Sequence, residues 1–429
     1  MTDNNLFKKS SALAIIAIFC SLAIAPAIGT SNITRISLPP PLNVDMSLEC
    51  AISRRMSVRE FTDEPVTDEE LSTVLWAAYG YREDKSRTVH AIDGIHSTVI
   101  YVLKEDAVYR YDPFNHSLVF HIGGDYRNII GWQYEAPIQL GIAWDTSKTS
   151  NENYNGAEIG EIGQNIYFMA NALGLGTVAT GEVPSPIENI SLPPNEIGKI
   201  VMPLGHPKEP YNFVYRPRWL SFLPRMKNSG VSLSTVLDER EETTSFGGIL
   251  SRQEKSQVLW ASYGYSYNLD KSDQENNPLK RHRAVPSAHG FYPLRMYAVT
   301  KRGIYRYIPD FQDYDRFGLP IVTFLMKIRM GDRRDDVADA SQSFVSSAPF
   351  IIISVLDKRK TNQWDDLSAE ELRWLWFYES GASAHNVLME ASAWDLTSNI
   401  VTISDPTAIR SLLRLNENFQ PLFIVPVGK

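Results

Sequence analysis

The chain is poor in cysteine, with two thiols, Cys20 and Cys50, among 429 residues. Two thiols cannot build a disulfide framework, and neither stands at a metal-ligand spacing. The eight histidines are scattered and form no ligand cluster. No Ser-His-Asp constellation emerges either, so nucleophilic and metal-assisted hydrolysis have no visible basis. A net charge of -8, with no basic stripe, removes the electrostatic footprint that nucleic acid requires. What remains is an ordinary globular composition, 43% apolar, 21% charged and 11% aromatic. Its length suffices for two domains with full cores.

The N-terminus reads as an export signal over residues 1–29. Lys8 and Lys9 give the positive flank, Ala12 to Ile24 the apolar run, and Ala25-Pro26-Ala27 the small residues of a cleavage site. The alternative is an uncleaved membrane anchor, which Pro26 and the short run disfavour. Phe19 before Cys20 leaves no lipobox. Sequons at Asn32, Asn115 and Asn189 are compatible with export. The expected location is extracytoplasmic, secreted or anchored.

The chain repeats itself. VLWAAYGY (74–81) returns as VLWASYGY (258–265), and YVLKEDAVYRYDP (101–113) as YAVTKRGIYRYIP (297–309). Ala136-Pro137 answers to Ala348-Pro349, and Met202-Pro203-Leu204-Gly205 to Val425-Pro426-Val427-Gly428. Ordered matches with a steadily growing offset mean one unit duplicated, with longer loops in the second copy. Copy one spans 46–210 and copy two 232–429. The segment 211–231, with Pro217 and Pro224, reads as an extended arm packed on a neighbour.

Each unit has the same pattern. Capping boxes at Thr67-x-x-Glu70 and Ser251-x-x-Glu254 open equivalent helices. β-rich stretches follow at 98–103 and 108–111, and at 295–299 and 304–307. A second helix is expected over 159–173 and 382–393, and a closing strand over 199–203 and 422–427. This mixture predicts an α+β fold with a mainly antiparallel sheet flanked by helices.

Two segments carry chemistry. Arg55, Ser57 and Arg59, just after a short helix, suit a phosphate: guanidinium forks bind its oxygens and a hydroxyl adds a hydrogen bond. Read alone, an Arg-rich stretch is also a common solvated face. In copy two, Pro286-Ser287-Ala288-His289-Gly290 makes a turn whose backbone can approach a flat ligand. Without a ligand it is a plain helix-to-strand loop.

Taken together, RRxSVRxF, a TxEEL helix, RxVPSAGxxYPL with His289 in the place of its glycine, GLGT and PxGxP resemble the nitroreductase-like family, most of all its SagB-type branch. That branch includes azoline-oxidising dehydrogenases of peptide natural-product pathways. The resemblance covers most of 49–210 and 235–429. It implies FMN at a dimer interface, one protomer gripping the phosphate and the other supplying the Pro-Ser loop beside the ring. Copy one keeps Arg55, Ser57 and Arg59, where copy two has Arg240, Glu242 and Thr244. Copy two keeps Pro286, Ser287, Ala288 and Gly290, where copy one has His90-Ala91-Ile92-Asp93. Gly174-Leu175-Gly176-Thr177 stands against Trp394-Asp395-Leu396-Thr397. The surviving halves are complementary. They imply one FMN per chain in an intramolecular pseudo-dimer, and a second composite site that is dead. The resemblance also brings Gly181 close to the ring, puts Arg59 near its N1 edge, and adds Asn128 and Glu379 by alignment.

The expected function is two-electron transfer through that flavin, to or from a small-molecule or peptide substrate, in a monomer. The alternatives are a flavin-free or inactive pseudoenzyme acting as a binding or sensor protein, and a maturation enzyme oxidising exported peptides.

Overall fold

A computed structural model describes residues 34–131, 134–209, 213–214, 219–269, 281–310, 321–361 and 371–429. The expected export signal at 1–29, Cys20, Asn32 and part of the arm lie outside them. No helix among the described residues is long and apolar enough to cross a membrane.

Eight helices are described. They are α1 (Leu48–Arg54), α2 (Asp68–Tyr79), α3 (Glu152–Ala172), α4 (Leu233–Glu239), α5 (Arg252–Tyr263), α6 (Arg334–Asp339), α7 (Arg373–Ala393) and α8 (Pro406–Leu412). The strands of copy one are β1 (Arg35–Ser37), β2 (Thr98–Leu103), β3 (Ala107–Asp112), β4 (Ser117–Gly123), β5 (Ile138–Asp145), β6 (Gly176–Thr177) and β7 (Glu196–Gly205). The arm gives β8 (Phe213–Val214) and β9 (Trp219–Ser221). Copy two gives β10 (Tyr265–Leu269), β11 (Arg281–Arg283), β12 (Leu294–Thr300), β13 (Gly303–Ile308), β14 (Ile321–Met330), β15 (Phe350–Asp357), β16 (Thr397–Ser398), β17 (Val401–Thr402) and β18 (Phe419–Gly428).

The duplication is visible in the topology. Copy one orders its sheet β1-β4-β3-β2-β5-β7-β6, and copy two β9-β14-β13-β12-β15-β18-β16. From the second strand on, the two orders are the same, and the paired strands inside them are antiparallel. The edges differ: β1 adds antiparallel to β4, whereas β9, from the arm, adds parallel to β14. The arm is thus partly a strand of copy two's sheet.

The repeated octapeptide proves to be a helix terminus. Reciprocal capping boxes start α2 and α5 as expected. At their ends Gly80 and Gly264 donate to Trp76 O and Trp260 O, each at 2.7 Å. A Cβ on Gly80 would come 2.6 Å from the Trp76 ring, and on Gly264 2.5 Å from the Trp260 ring. Glycine lets the chain pass beneath each indole, whose Nε1 then donates to Tyr81 O (3.0 Å) or Tyr265 O (2.8 Å).

The long helices α3 and α7 extend seven and nine residues further toward their N-termini than the periodicity predicts. Gly156, Gly160 and Gly163 blur the apolar pattern there, and they mark where α7 crosses. A Cβ on Gly156 would meet Trp374 O at 2.6 Å, and on Gly381 the Ala157 backbone at 2.7 Å. Helices this close bring backbone against backbone. Copy-to-copy contacts are self-complementary, as fused two-fold packing requires. Leu48 N donates to Val231 O and Leu233 N to Met46 O, around a Ser47–Ser232 bridge. At the crossing, Gln164 Nε2 donates to Asn386 Oδ1 at 2.9 Å. The copies pack as an intramolecular pseudo-dimer.

Candidate functional site

Arg55 caps α1, whose first turn is held by Ser47. Its guanidinium is buried, lies over the Tyr167 ring (5.2 Å to the centroid), and donates from Nε to Arg283 O at 3.3 Å. Arg283 belongs to copy two, so this bond ties the Arg-Ser-Arg segment to the strand that leads into the Pro-Ser loop. Nη1 of Arg55 is buried with no hydrogen-bond partner among the described residues. Tyr167 OH lies 3.2 Å from Ser57 Oγ and accepts from Ala179 N at 2.8 Å. The segment runs flat on β6: Val58 N donates to Thr177 O at 2.9 Å, and a Cβ on Gly176 would strike Val58 at 2.6 Å. That contact is why the glycine motif accompanies the arginine motif. Arg59 is exposed at the rim, donating to Ser57 O at 3.3 Å.

The copy-two loop runs from buried Pro286 through half-buried Ser287 and Ala288 to exposed His289 and Gly290. His289 and Gly290 both have positive φ, 50° and 70°. Their counterparts Asp93 and Gly94 sit at 53° and 73°, so copy one keeps the turn although it has lost the side chains. A left-handed His289 is strained, which accounts for the glycine the family pattern expects there. Ser287 Oγ donates to Glu379 Oε2 at 2.6 Å and accepts from Tyr292 N at 2.9 Å. Tyr263 OH donates to Glu379 Oε1. Burial pushes the Glu379 carboxyl up to about 7, against the pull of its two donors and of Arg283 and Lys360. Arg283 in turn stacks on Tyr263, Tyr265 and Tyr292, with centroids 4.9, 4.3 and 4.8 Å away.

Between the two halves lies Tyr378 of α7. Its hydroxyl is buried, points at Gly163, and has no hydrogen-bond partner among the described residues. Gly181 faces Trp374 and Leu375 of the same helix, with room for a Cβ at 3.7 Å or more. Buried donors without partners are uncommon in folded proteins. Arg240 Nε and Nη2 are likewise unpartnered at the other junction, but here the guanidinium donor lies with an unpartnered phenol, a serine and, among the described residues, no carboxylate on the arginine, which fits a ligand with an anionic group and a planar polar ring.

The pseudo-symmetric junction is built differently. Arg240, in the slot of Arg55, is buried and donates to Glu242 Oε1 at 2.5 Å. The other Glu242 oxygen lies 2.6 Å from His90 Nδ1, and His90 stands where Pro286 stands in the first site. Burial would raise Glu242, but His90 and Arg240 hold it well below the usual carboxylate range. Burial would likewise depress His90, and Glu242 overrides it and holds the imidazole above its ordinary value. Arg82 closes the cluster by donating to Arg240 O. A side-chain carboxylate thus pairs with the buried arginine of this junction.

Of the residues singled out in the sequence, the structure thus gathers Arg55, Ser57, Pro286, Ser287, Ala288 and Glu379 at one junction, with Arg59 and Gly290 on its rim and Gly181 against Trp374 and Leu375 of α7. Asn128 is not brought there. It is exposed in the turn after β4, whose Ile129 and Ile130 pack with Val99, Tyr101 and Ile187 on the sheet face away from α3. Tyr167, Tyr378 and Tyr263 escaped sequence reading, and Arg283 figures there only as the first residue of the Pro-Ser motif, with no role. Arg283 had a signal, since its repeat partner Arg87 donates to Tyr79 O as Arg283 does to Tyr263 O. The two phenols on α3 and α7 have no repeat partner to mark them.

Comparison with known proteins agrees with this architecture. The model of the family described as "Nitroreductase family" matches residues 52–191 and 249–429, one match per copy. A protein of Methanocaldococcus jannaschii named "Putative nitroreductase" is 32% identical over 181 residues, 38% of this chain and 91% of that protein. A crystal structure titled a putative nitroreductase, from Anabaena variabilis, superposes with a TM-score of 0.67 at 13% identity, over 93% of this chain and 92% of that one. Another, titled a putative nitroreductase in complex with FMN, from Desulfovibrio desulfuricans, gives 0.30 at 22% identity over 39% and 90%.

Proposed function

The chain belongs to the nitroreductase family, and from that premise we propose that it is an FMN-dependent oxidoreductase with one composite flavin site per chain. The observation that carries the reading is the Arg55–Arg283 bond beside the unpartnered Arg55 Nη1. It joins the phosphate half of one copy to the ring half of the other. Bound there, FMN would supply two-electron chemistry.

The protein's part is binding and electrostatics. Arg55 and Ser57 would hold the phosphate, with Arg59 closing over it from the rim. Ser287 would meet a polar ring edge, and Tyr378, released from its unpaired state, would hydrogen-bond a polar atom of the ligand. Gly181 and Gly290 would allow close approach. The second junction takes no flavin, because Glu242 already neutralises Arg240 and would repel a phosphate. We further assign the chain to the peptide-oxidising SagB-type branch, acting as an exported monomer, so thiazoline- and oxazoline-bearing peptides are the substrates to screen first.

Quantifying flavin released from the purified protein tests this. One FMN per chain supports the single composite site. Two would show that the Glu242 junction is open. None, even after adding FMN, would end the oxidoreductase reading and leave a binding protein on a borrowed fold.

A further inference from the structure

Duplication has given the long helices a pair of equivalent glutamates, Glu158 on α3 and Glu379 on α7, each facing the tyrosine that ends α2 or α5. Their surroundings have diverged. Glu158 receives Tyr79 OH (2.9 Å) and His96 Nδ1 (2.8 Å) on one oxygen, and Ser97 N (2.9 Å) and Thr98 Oγ1 (2.6 Å) on the other. With a fifth from Ser97 Oγ (3.3 Å), these contacts hold it as an anion, below its ordinary range despite burial. Glu379, equally buried, receives Tyr263 OH and Ser287 Oγ.

The hydrogen-bond arithmetic at Ser287 is then decisive. A serine hydroxyl has one proton to give and two lone pairs to accept with. Tyr292 N takes one lone pair, and while Glu379 is ionised the proton goes to its carboxylate. The free side of the loop sees the remaining lone pair. If the carboxyl carries a proton, that proton is donated to Ser287 Oγ, both lone pairs are used, and the serine O–H is released toward the open side of the loop. We propose that Glu379 is a positioning residue whose proton sets the polarity Ser287 presents to the flavin site, acceptor when ionised and donor when protonated. The inference rests on the reading of a flavin beside Ser287. The switch moves one proton between solvent and the carboxyl, breaks no bond but O–H, and moves no electron.

The groups facing Glu379 keep the switch near neutrality. Tyr263 from α5, Ser287 and Tyr292 from the loop, and Tyr378 from its own helix supply neutral dipoles. Arg283 from β11 and Lys360 from the turn after β15 supply positive charge that offsets burial. Arg55 and Tyr167 of copy one reach it through Tyr378.

The test uses the full protein. Infrared spectra of its flavin-free form, in a Glu390→Gln background that removes the other buried carboxyl held above its usual range, should show a protonated-carboxyl band that fades as pH rises through about 7. The band should be missing in Glu379→Gln and intact in Glu158→Gln. FMN titrations should give a Kd about two- to tenfold tighter on the acid side, since the oxidised ring edge presents acceptors. The second ionisation of the FMN phosphate affects every variant alike, so the excess over Glu379→Gln is what counts. Glutamine donates to Ser287 at all pH values, so Glu379→Gln should bind tightly with no excess pH dependence. Ser287→Ala should keep the band and lose that dependence. A band that survives Glu379→Gln, or a Ser287→Ala protein with wild-type pH dependence, overturns the switch. FMN binding with no excess pH dependence in the wild type overturns the switch and leaves the flavin reading standing. No FMN binding at any pH overturns both.

Discussion

Gly160→Ala is the sharpest probe of the inter-copy packing. An added Cβ would overlap Tyr378 O and lie 2.8 Å from Tyr378 C and 2.9 Å from Ala382 N. All three are backbone atoms of α7, so no rotamer change relieves the clash and the helices must separate. Overpacking costs roughly 1–3 kcal/mol, and a backbone obstacle belongs at the upper end, about 3 kcal/mol. Alanine returns about 1 kcal/mol through helix propensity. The expected net loss is about 2 kcal/mol, read as a lower urea midpoint by tryptophan fluorescence, and FMN affinity should fall with it because Tyr378 and Glu379 ride on the displaced helix. Gly163→Ala is the control. Its Cβ would meet the Tyr378 hydroxyl at 2.6 Å, a side-chain end that can move. Stability should change little while FMN binding weakens. A Gly160→Ala protein more stable by the propensity gain would refute the close crossing and the pseudo-dimer argued from it.

Arg55→Lys keeps the charge and removes the fork, so FMN should bind about 10- to 100-fold more weakly by fluorescence titration while the melting curve stays close to wild type. Glu242→Gln should cost most stability between about pH 4.5 and 6.5. Above the ordinary glutamate value the depressed Glu242 contributes fully and is lost as pH falls through its folded value; below the ordinary histidine value the raised His90 contributes fully and is lost as pH rises through its folded value. Melting temperatures across pH check that window, and a deficit confined to alkaline pH would contradict it. Glu390 on α7 is fully buried, and burial, then the charge of Glu49, holds its carboxyl well above the usual range. Its stability contribution is present below the ordinary glutamate value and lost as pH rises through the raised one, so Glu390→Gln should gain on wild type steadily toward alkaline pH. Equal slopes for the two proteins would show that Glu390 does not titrate on unfolding.

Much of the fold was legible because it is written twice. The octapeptide, the capping boxes and the Ala-Pro turns could each be checked against a second copy, and the structure keeps them in the same roles. Signals died where tertiary contacts overrode local pattern. The first halves of α3 and α7 carry glycines at the crossing, so their apolar periodicity fails just where packing is closest. Strands β5 and β15 are buried throughout and show no alternation to read. At the site, segments with unusual local chemistry, Arg-x-Ser-x-Arg and Pro-Ser-Ala, were readable. Tyr167 and Tyr378 were not, since a tyrosine inside a buried helix looks like core until its hydroxyl is seen to meet Ser57, as in Tyr167, or the other copy, as in Tyr378. Asn128, offered by alignment alone, differs for the opposite reason: its turn folds onto the outer face of the sheet.

The asymmetry between the two junctions has a physical logic. Both keep a buried arginine at the end of a short helix, with nearly the same backbone angles at Arg55 (-57°, 124°) and Arg240 (-58°, 125°). A buried guanidinium needs a counter-ion, because removing one partner of such a pair leaves an uncompensated charge that costs several kcal/mol. In a symmetric dimer both arginines would draw it from bound ligand. Once fused, the copies could vary independently, and Arg240 acquired its own in Glu242. That carboxylate relieves the charge and would repel an anionic ligand. Arg55 forms no ion pair among the described residues, although it is equally buried. A chain free to neutralise that arginine in the same way, which has instead kept Ser57 in the matching slot, retains a buried charge that an anion from outside would satisfy.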